Sequence, residues 1–159
     1  SILFSCIDHI REYFELPKSI SDEWMKSFFN LETTLGLPLK WAKKDIPSWI
    51  FQESDFVCIR CLQDDFFKAL VDSLKGKAVI TTSLNLSGDA PILNKDDAQA
   101  FREKHAPSAK IIPSDQLVLS GHSSTIVRFL NSQEIQIIRK GQRFEDVLKQ
   151  LEILSARVL

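Results

Sequence analysis

The 159-residue chain lacks three features, each of which would point to a particular class of protein. No apolar run approaches the roughly 20 residues that a membrane-spanning helix needs. The 20 lysines and arginines are balanced by 21 aspartates and glutamates, so there is no excess positive charge for strong nucleic-acid binding. No internal repeat or low-complexity tract is present. With 44% hydrophobic and 26% charged residues, the composition is typical of one soluble globular domain.

Cysteine is scarce as well. The chain has three cysteines, an odd number that indicates a reducing compartment and argues against a disulfide framework. Cys58 and Cys61 have the spacing of a C-x-x-C motif, but no second pair and no nearby histidine completes a zinc site. They fall in a strand-like run, where they would face opposite sides of a sheet. We therefore expect structural cysteines and no metal site.

Histidine is also rare. His9 and His105 fall on predicted helices, and His122 adjoins a polar turn. The sequence contains no convincing Ser–His–Asp or Cys–His set, so we predict no catalytic nucleophile or base.

Helical and strand-like patterns alternate along the chain. Apolar residues at helical spacing predict helices over 7–14, 64–74, 95–105 and 144–154. A further helix, which Ser19 or Ser21 could cap, is predicted from an apolar, largely aromatic stripe of Trp24, Met25, Phe28 and Phe29. Short apolar or alternating runs predict strands over 2–4, 56–62, 79–80, 110–113, 116–119, 126–130 and 134–139, and residues 33–39 look extended, with interruptions at Gly36 and Pro38. This alternation predicts a single α/β domain with a mixed sheet, over residues 1–159.

Residues 79–91 bring several small hydroxyl and amide residues together at a predicted strand end. Val79 and Ile80 look like the end of a buried strand, and small hydroxyl and amide residues follow before a turn at Gly88 and Pro91. Such a strand end can offer donors and acceptors to a ligand at a sheet edge. A turn that satisfies its own backbone is the alternative, and on the residue chemistry alone it is the better one.

Arg60 is the single charge in the predicted strand 56–62. Burying an unpaired guanidinium is expensive, so Arg60 should have an anionic partner. A structural carboxylate and a ligand carboxylate are about equally good candidates.

Four short segments, each at a predicted strand end, carry a resemblance to a known family. They are Ile59-Arg60-Cys61-Leu62, Ser83-Leu84-Asn85-Leu86-Ser87-Gly88, Ser123-Ser124-Thr125-Ile126-Val127 and Ile137-Ile138-Arg139-Lys140-Gly141. In order and spacing they are similar to the v-R-v-P, S-A-N-x-S-G, P-S-T-i-v and i-x-R-x-G motifs of the YrdC-like family of threonylcarbamoyl-AMP synthases. Each motif alone is weak, but four in the right order are fairly specific.

The resemblance implies a nucleotidyltransferase. Such an enzyme makes L-threonylcarbamoyl-adenylate and pyrophosphate from ATP, L-threonine and bicarbonate, for threonylcarbamoyladenosine (t6A) modification of tRNA. It implies a YrdC-like α/β fold, a twisted open mixed sheet flanked by helices around a central cavity. Mg²⁺ is expected with the triphosphate, and a separate tRNA threonylcarbamoyl transferase is expected to take the product. A cytoplasmic protein without membrane association or strong direct nucleic-acid binding is expected.

Residue by residue, the resemblance implies two groups of contacts. Arg60, Ser83 and Ser124 would bind L-threonine. Thr34, Asn85 and Arg139 would bind ATP. The chain starts at Ser1, inside the family's domain, so we expect a domain that is N-terminally incomplete.

Two alternatives stay open. One is a carbamoyl-adenylating module of the kind found in hydrogenase maturation, whose acceptor is a cysteine thiol of a partner. The other is a nucleotide- or RNA-binding regulator that has kept the fold and lost catalysis.

Overall fold

The computed structural model describes residues 1–62, 65–74, 79–86, 88–112, 123–141, 143–154 and 156–159. They form two compact units. The first, here called the sheet unit, comprises Ser1–Thr81 and Ser123–Leu159. The second, the insert unit, comprises Thr82–His122. The prediction of one domain over residues 1–159 stays a prediction.

The sheet unit contains a mixed sheet, as predicted. Seven strands are present in the described residues: β1 (Ile2–Phe4), β2 (Thr34–Pro38), β3 (Phe56–Cys61), β4 (Val79–Ile80), β5 (Ile126–Phe129), β6 (Glu134–Arg139) and β7 (Arg157–Val158). Their order across the sheet is β4-β1-β3-β2-β5-β6-β7. The pairs β1/β3, β2/β5 and β6/β7 are parallel, and β1/β4, β2/β3 and β5/β6 are antiparallel.

One face of this sheet forms the hydrophobic core. In β3, Val57, Ile59 and Cys61 are buried, whereas Phe56, Cys58 and Arg60 alternate with them and are half-buried. This alternation confirms that Cys58 and Cys61 face opposite sides. We call the side that carries Arg60 the open face.

Three helices cover the core face: α1 (Ile7–Tyr13), α2 (Asp22–Phe29) and α6 (Phe144–Glu152). The predicted aromatic stripe of α2 is buried, and the Trp24 ring stacks on that of Phe28 with centroids 4.7 Å apart. Ser21 caps this helix because its Oγ accepts a hydrogen bond from the Trp24 amide (3.1 Å). The stripe is therefore part of the core, as its helical spacing predicts.

Three further elements complete the sheet unit: a short 3₁₀ helix (Leu39–Trp41), α3 (Ser48–Phe51) and α4 (Asp65–Ser73). The insert unit contains α5 (Lys95–His105), which begins as predicted because Asn94 Oδ1 accepts from the Asp97 amide at 2.8 Å. None of the described helices is long and apolar enough to cross a membrane.

Several details differ from the sequence-based predictions. Val79 and Ile80 were predicted to end a buried strand, but strand β4 lies at the edge of the sheet and Ile80 is 41% exposed. Residues 110–112 form no strand. Ser87, the strand predicted over 116–119, and His122 lie outside the described residues. Strand β7 and helix α3 were not predicted, because two and four residues are too short to show a periodicity.

Candidate functional site

Three of the predicted site residues meet in one hydrogen-bonded cluster of the sheet unit. The hydroxyl of Ser124 lies 3.0 Å from the hydroxyl of Thr34, and either oxygen can be the donor. Arg139 donates from Nη2 to the same Ser124 hydroxyl (3.2 Å) and from Nε to the Ser124 carbonyl (3.0 Å). We call Thr34, Ser124 and Arg139 the hydroxyl–guanidinium cluster. Its remaining guanidinium donors are exposed and available to an anion.

The backbone around Thr125 fixes the position of this cluster. Strand β2 runs parallel to β5, and the Thr34 amide donates to the Thr125 carbonyl at 2.9 Å. The Thr125 side chain is fully buried, and its hydroxyl accepts a hydrogen bond from the Gly141 amide at 3.1 Å. The chain therefore enters β5 next to the end of β6, where Arg139 lies opposite Ile126.

Arg60 lies at the same end of the open face, on the neighbouring strand β3. The antiparallel register pairs Leu35 with Ile59, and one further step along both strands brings Arg60 beside Thr34. In the described part of the chain, no carboxylate lies within ion-pair distance of its guanidinium, and its buried Nε has no hydrogen-bond partner. The structural carboxylate that the sequence left open is therefore absent among these residues.

Burial and charge act against each other at Arg60. Desolvation by burial lowers the pKa of its guanidinium below the ordinary value, and the carboxylate of Glu32 partly opposes this by raising it. The positive charge of Arg139 lowers the pKa further. Two guanidinium groups thus repel each other at one end of the open face, and a bound anion would relieve this repulsion.

Glu32 is a residue that the sequence analysis missed. It precedes β2 and takes a left-handed backbone conformation (φ 57°), which is unusual for a residue other than glycine. The turn at this point is closed by a hydrogen bond from the Glu32 amide to the Phe29 carbonyl (3.0 Å). A lone acidic residue in a loop gives no signal in a sequence, and its proximity to Arg60 arises only from the pairing of β2 with β3.

Ser83 and Asn85 belong to the insert unit. Asn85 donates from Nδ2 to the carbonyls of Leu86 (2.7 Å) and Asp89 (3.1 Å), which closes the turn, and Ser83 is exposed. The turn thus satisfies much of its own backbone, as the alternative interpretation expected. The Asn85 Oδ1 atom is nevertheless buried without a hydrogen-bond partner among the described residues. This acceptor has spare capacity for a donor.

Comparison with known proteins identifies the family. A sequence model of the Sua5/YciO/YrdC family, described as "Telomere recombination", matches residues 1–141. The chain belongs to this family. All six predicted site residues lie inside the matched region. No solved structure gives a significant match.

Part of the chain is also similar in sequence to named proteins. The chain is 34% identical over 100 residues to the threonylcarbamoyl-AMP synthase of Wigglesworthia glossinidia brevipalpis, covering 62% of this chain and 47% of the relative. It is 30% identical over 96 residues to the threonylcarbamoyl-AMP synthase of Histophilus somni (strain 2336), covering 58% of this chain and 50% of the relative. The chain therefore spans about half the length of the curated relatives that it matches.

Three of the four motifs lie on neighbouring strands of the sheet. Arg60 lies in β3, Ser124 directly before β5 and Arg139 at the end of β6, and these strands, with β2 between β3 and β5, are neighbours at the centre of the sheet. The motifs are far apart in sequence but three of them converge at one end of the open face.

Proposed function

We propose that this chain carries the synthase activity of its named relatives, the formation of L-threonylcarbamoyl-adenylate from ATP, L-threonine and bicarbonate. The observation that supports this most directly is Arg60, a half-buried guanidinium beside the hydroxyl–guanidinium cluster that has no carboxylate partner among the described residues. An α-amino acid brings the carboxylate that Arg60 lacks, and two parallel N–H···O bonds can join these groups.

The reaction needs positioning and charge stabilisation more than a covalent nucleophile. The amine of L-threonine forms a bond to the carbon of bicarbonate with loss of water, and an oxygen of the resulting carbamate attacks the α-phosphorus of ATP. The bond to pyrophosphate breaks, and pyrophosphate leaves with its electron pair. Arg60 would orient the amino acid, and Arg139 would stabilise charge on the α-phosphate of the adenylyl group during its transfer.

The hydroxyl groups have complementary roles. Ser124 lies between Thr34 and Arg139 and can change donor direction, because a hydroxyl both donates and accepts. It would contact L-threonine while it fixes the guanidinium that binds ATP. In the insert unit, Ser83 and Asn85 stay the predicted contacts of L-threonine and of the nucleotide, and among the described residues nothing donates a hydrogen bond to the Asn85 Oδ1.

The part of the chain that the structure describes does not support a resident metal site. Among the described residues, no group of three or more histidine, cysteine, aspartate or glutamate side chains could hold a metal ion. Mg²⁺ would therefore enter as part of the ATP complex, with phosphate oxygens as its main ligands. The product would pass in the cytoplasm to a separate tRNA threonylcarbamoyl transferase.

The test is product formation from ATP, L-threonine and radiolabelled bicarbonate, with chromatographic detection of threonylcarbamoyl-AMP. Product that depends on L-threonine supports the proposal. ATP binding without product favours the regulator, and L-threonine-independent adenylation favours the hydrogenase-maturation kind of module.

Arg60→Met separates binding from folding in the same assay. Because Met has a similar length and no charge to desolvate, we expect unchanged or higher thermal stability. We expect the KM for L-threonine to rise by about tenfold or more, the effect of one charge-assisted contact, with little change in ATP affinity. Arg157→Met, on the exposed strand β7, is the matched control. An Arg60→Met chain that fails to fold would instead assign Arg60 a structural role.

A further inference from the structure

Glu32 is an exposed carboxylate next to the Arg60 end of the open face. Among the described residues, its side chain accepts no hydrogen bond and forms no ion pair. It lies two residues before Thr34, which is beside Arg60 across the β2/β3 pair. The carboxylate is close enough to raise the pKa of the Arg60 guanidinium, yet it lies beyond ion-pair distance. In this part of the chain, a gap therefore separates a carboxylate and a guanidinium that each lack an ion-pair partner.

The turn that carries Glu32 is held in place from both sides. The Glu32 amide donates to the Phe29 carbonyl at 3.0 Å, and the buried hydroxyl of Thr33 donates to the Phe28 carbonyl at 2.7 Å. Leu31 is buried in the hydrophobic core. A carboxylate on a turn fixed in this way keeps its position relative to Arg60, and a preorganised group binds a ligand at a lower entropic cost.

The backbone of Glu32 is one that glycine would adopt with less strain. Its φ is 57°, in the left-handed region. Strained backbone conformations occur preferentially at sites that bind ligands, so a glutamate at such a position indicates that its side chain has a function. Gln52 has a similar φ of 54° at the end of α3, before the end of β3 that lies farther from Arg60. It therefore serves as a control for the backbone conformation.

An α-amino acid carries two opposite charges on one carbon atom. If its carboxylate binds the Arg60 guanidinium, its ammonium group needs an acceptor close by. Glu32 is the acidic group whose charge acts on Arg60, whereas Arg139 is positive and would repel an ammonium group. A carboxylic acid without an ammonium group would place an anion near the Glu32 carboxylate, which is unfavourable. The arrangement thus favours a ligand with both charges.

We propose that Glu32 binds the ammonium group of the amino-acid substrate and so selects α-amino acids over hydroxy acids at the open face. This rests on the proposed function, in that it takes Arg60 as the group that binds the substrate carboxylate. It adds a residue that belongs to none of the four motifs, and it names the chemical group of the substrate that this residue recognises.

Binding of L-threonine and of its hydroxy-acid analogue, in which a hydroxyl replaces the ammonium group, tests this directly. Dissociation constants are measured by calorimetry, with a non-reactive ATP analogue present, for the unaltered chain, Glu32→Gln and the control Glu53→Gln, an exposed glutamate beyond α3. We expect Glu32→Gln to weaken L-threonine binding by about five- to tenfold, between the effects of an exposed ion pair and of a charge-assisted hydrogen bond. Affinity for the hydroxy acid should stay the same or rise, because a repelling negative charge is removed.

Glu32→Gly separates the side chain from the backbone. Because glycine adopts a positive φ easily, the melting temperature should not fall, whereas L-threonine affinity should fall as in Glu32→Gln. Gln52→Gly is the matched control, and it should keep both its melting temperature and its L-threonine affinity.

The outcomes separate this proposal from its alternatives. Equal losses of affinity for both ligands would overturn it, because Glu32 would then act through Arg60 on the carboxylate. Unchanged L-threonine affinity in the folded Glu32 variants would also overturn it, and continued product formation would leave the proposed function intact. Loss of folding in both Glu32 variants would assign Glu32 a structural role instead. Failure of the unaltered chain to bind L-threonine would remove the proposed function as well.

Discussion

Replacing Gly141 with alanine should disturb the candidate site through the backbone. Gly141 follows β6 and lies against the chain that enters β5. A Cβ atom at this position would be 2.1 Å from the Ser123 carbonyl oxygen, 2.4 Å from the Ser124 carbonyl carbon and 2.5 Å from the Thr125 nitrogen. All three are backbone atoms, so no side-chain rotation can relieve the contact. The two segments must separate by about 1 Å to reach an ordinary Cβ distance.

The cost of Gly141→Ala follows from these contacts. Overpacking at a site that cannot adjust costs about 1–3 kcal/mol, and loss of the hydrogen bond from the Gly141 amide to Thr125 Oγ1 adds about 1 kcal/mol. The expected loss is therefore about 2–4 kcal/mol, or roughly 4–16 °C in melting temperature for a chain of this size. Because Ser124 moves with the backbone, its contacts with Arg139 should also lengthen, and ATP affinity should fall by about tenfold.

Thermal denaturation followed by circular dichroism measures the first effect, and calorimetric titration with ATP measures the second. Gly88→Ala is the control for stability, because a Cβ atom there meets nothing within 4 Å and the only cost is a positive φ of 93°. That strain amounts to about 1 kcal/mol. A melting temperature for Gly141→Ala no lower than that of Gly88→Ala would refute the reasoning.

Two further predictions concern single groups. Ser124→Ala should lower the free energy of unfolding by about 1–2 kcal/mol, because the hydroxyl contacts to Thr34 and Arg139 are lost, whereas Arg139→Ala should mainly weaken ATP binding. Urea denaturation measures the first effect and calorimetric titration the second. A larger loss of stability in Arg139→Ala than in Ser124→Ala, with a larger loss of ATP affinity in Ser124→Ala, would contradict the cluster geometry. Burial, with a smaller contribution from the nearby Cys6, raises the pKa of the Cys61 thiol from 9.0 to about 12. Above pH 9 the unfolded chain loses this proton and the folded chain keeps it, so stability should fall between about pH 9 and 12. Urea denaturation across this range, with Cys61→Ala as the control, should show a steeper fall in the unaltered chain, and equal slopes would contradict the assignment.

Local elements were predictable where the chain itself carries their signals. Strand β6 has the predicted bounds, Glu134–Arg139, because apolar and polar residues alternate along it. The start of helix α5 after Asn94 was predictable because asparagine is a common helix-capping residue, and its side chain accepts from the Asp97 amide. The parallel pairing of β2 with β5 joins segments about 90 residues apart, and no local pattern specifies such a partner.

The sequence named three residues that the structure brings together, but not the contacts between them. The motifs named Ser124 and Arg139, but the three hydrogen bonds that join Thr34, Ser124 and Arg139 depend on sheet order.

The open face carries a charge arrangement that the folded chain alone would be more stable without. Burial and the charge of Arg139 both lower the pKa of Arg60, and Glu32 offsets part of this without an ion pair to Arg60 in the described part of the chain. An apolar residue at this point of β3 would avoid the desolvation cost. Such a cost is offset when a ligand supplies the missing carboxylate, since a ligand that binds only the folded state stabilises it. The anion that completes the charge balance of the open face is therefore expected to be the substrate.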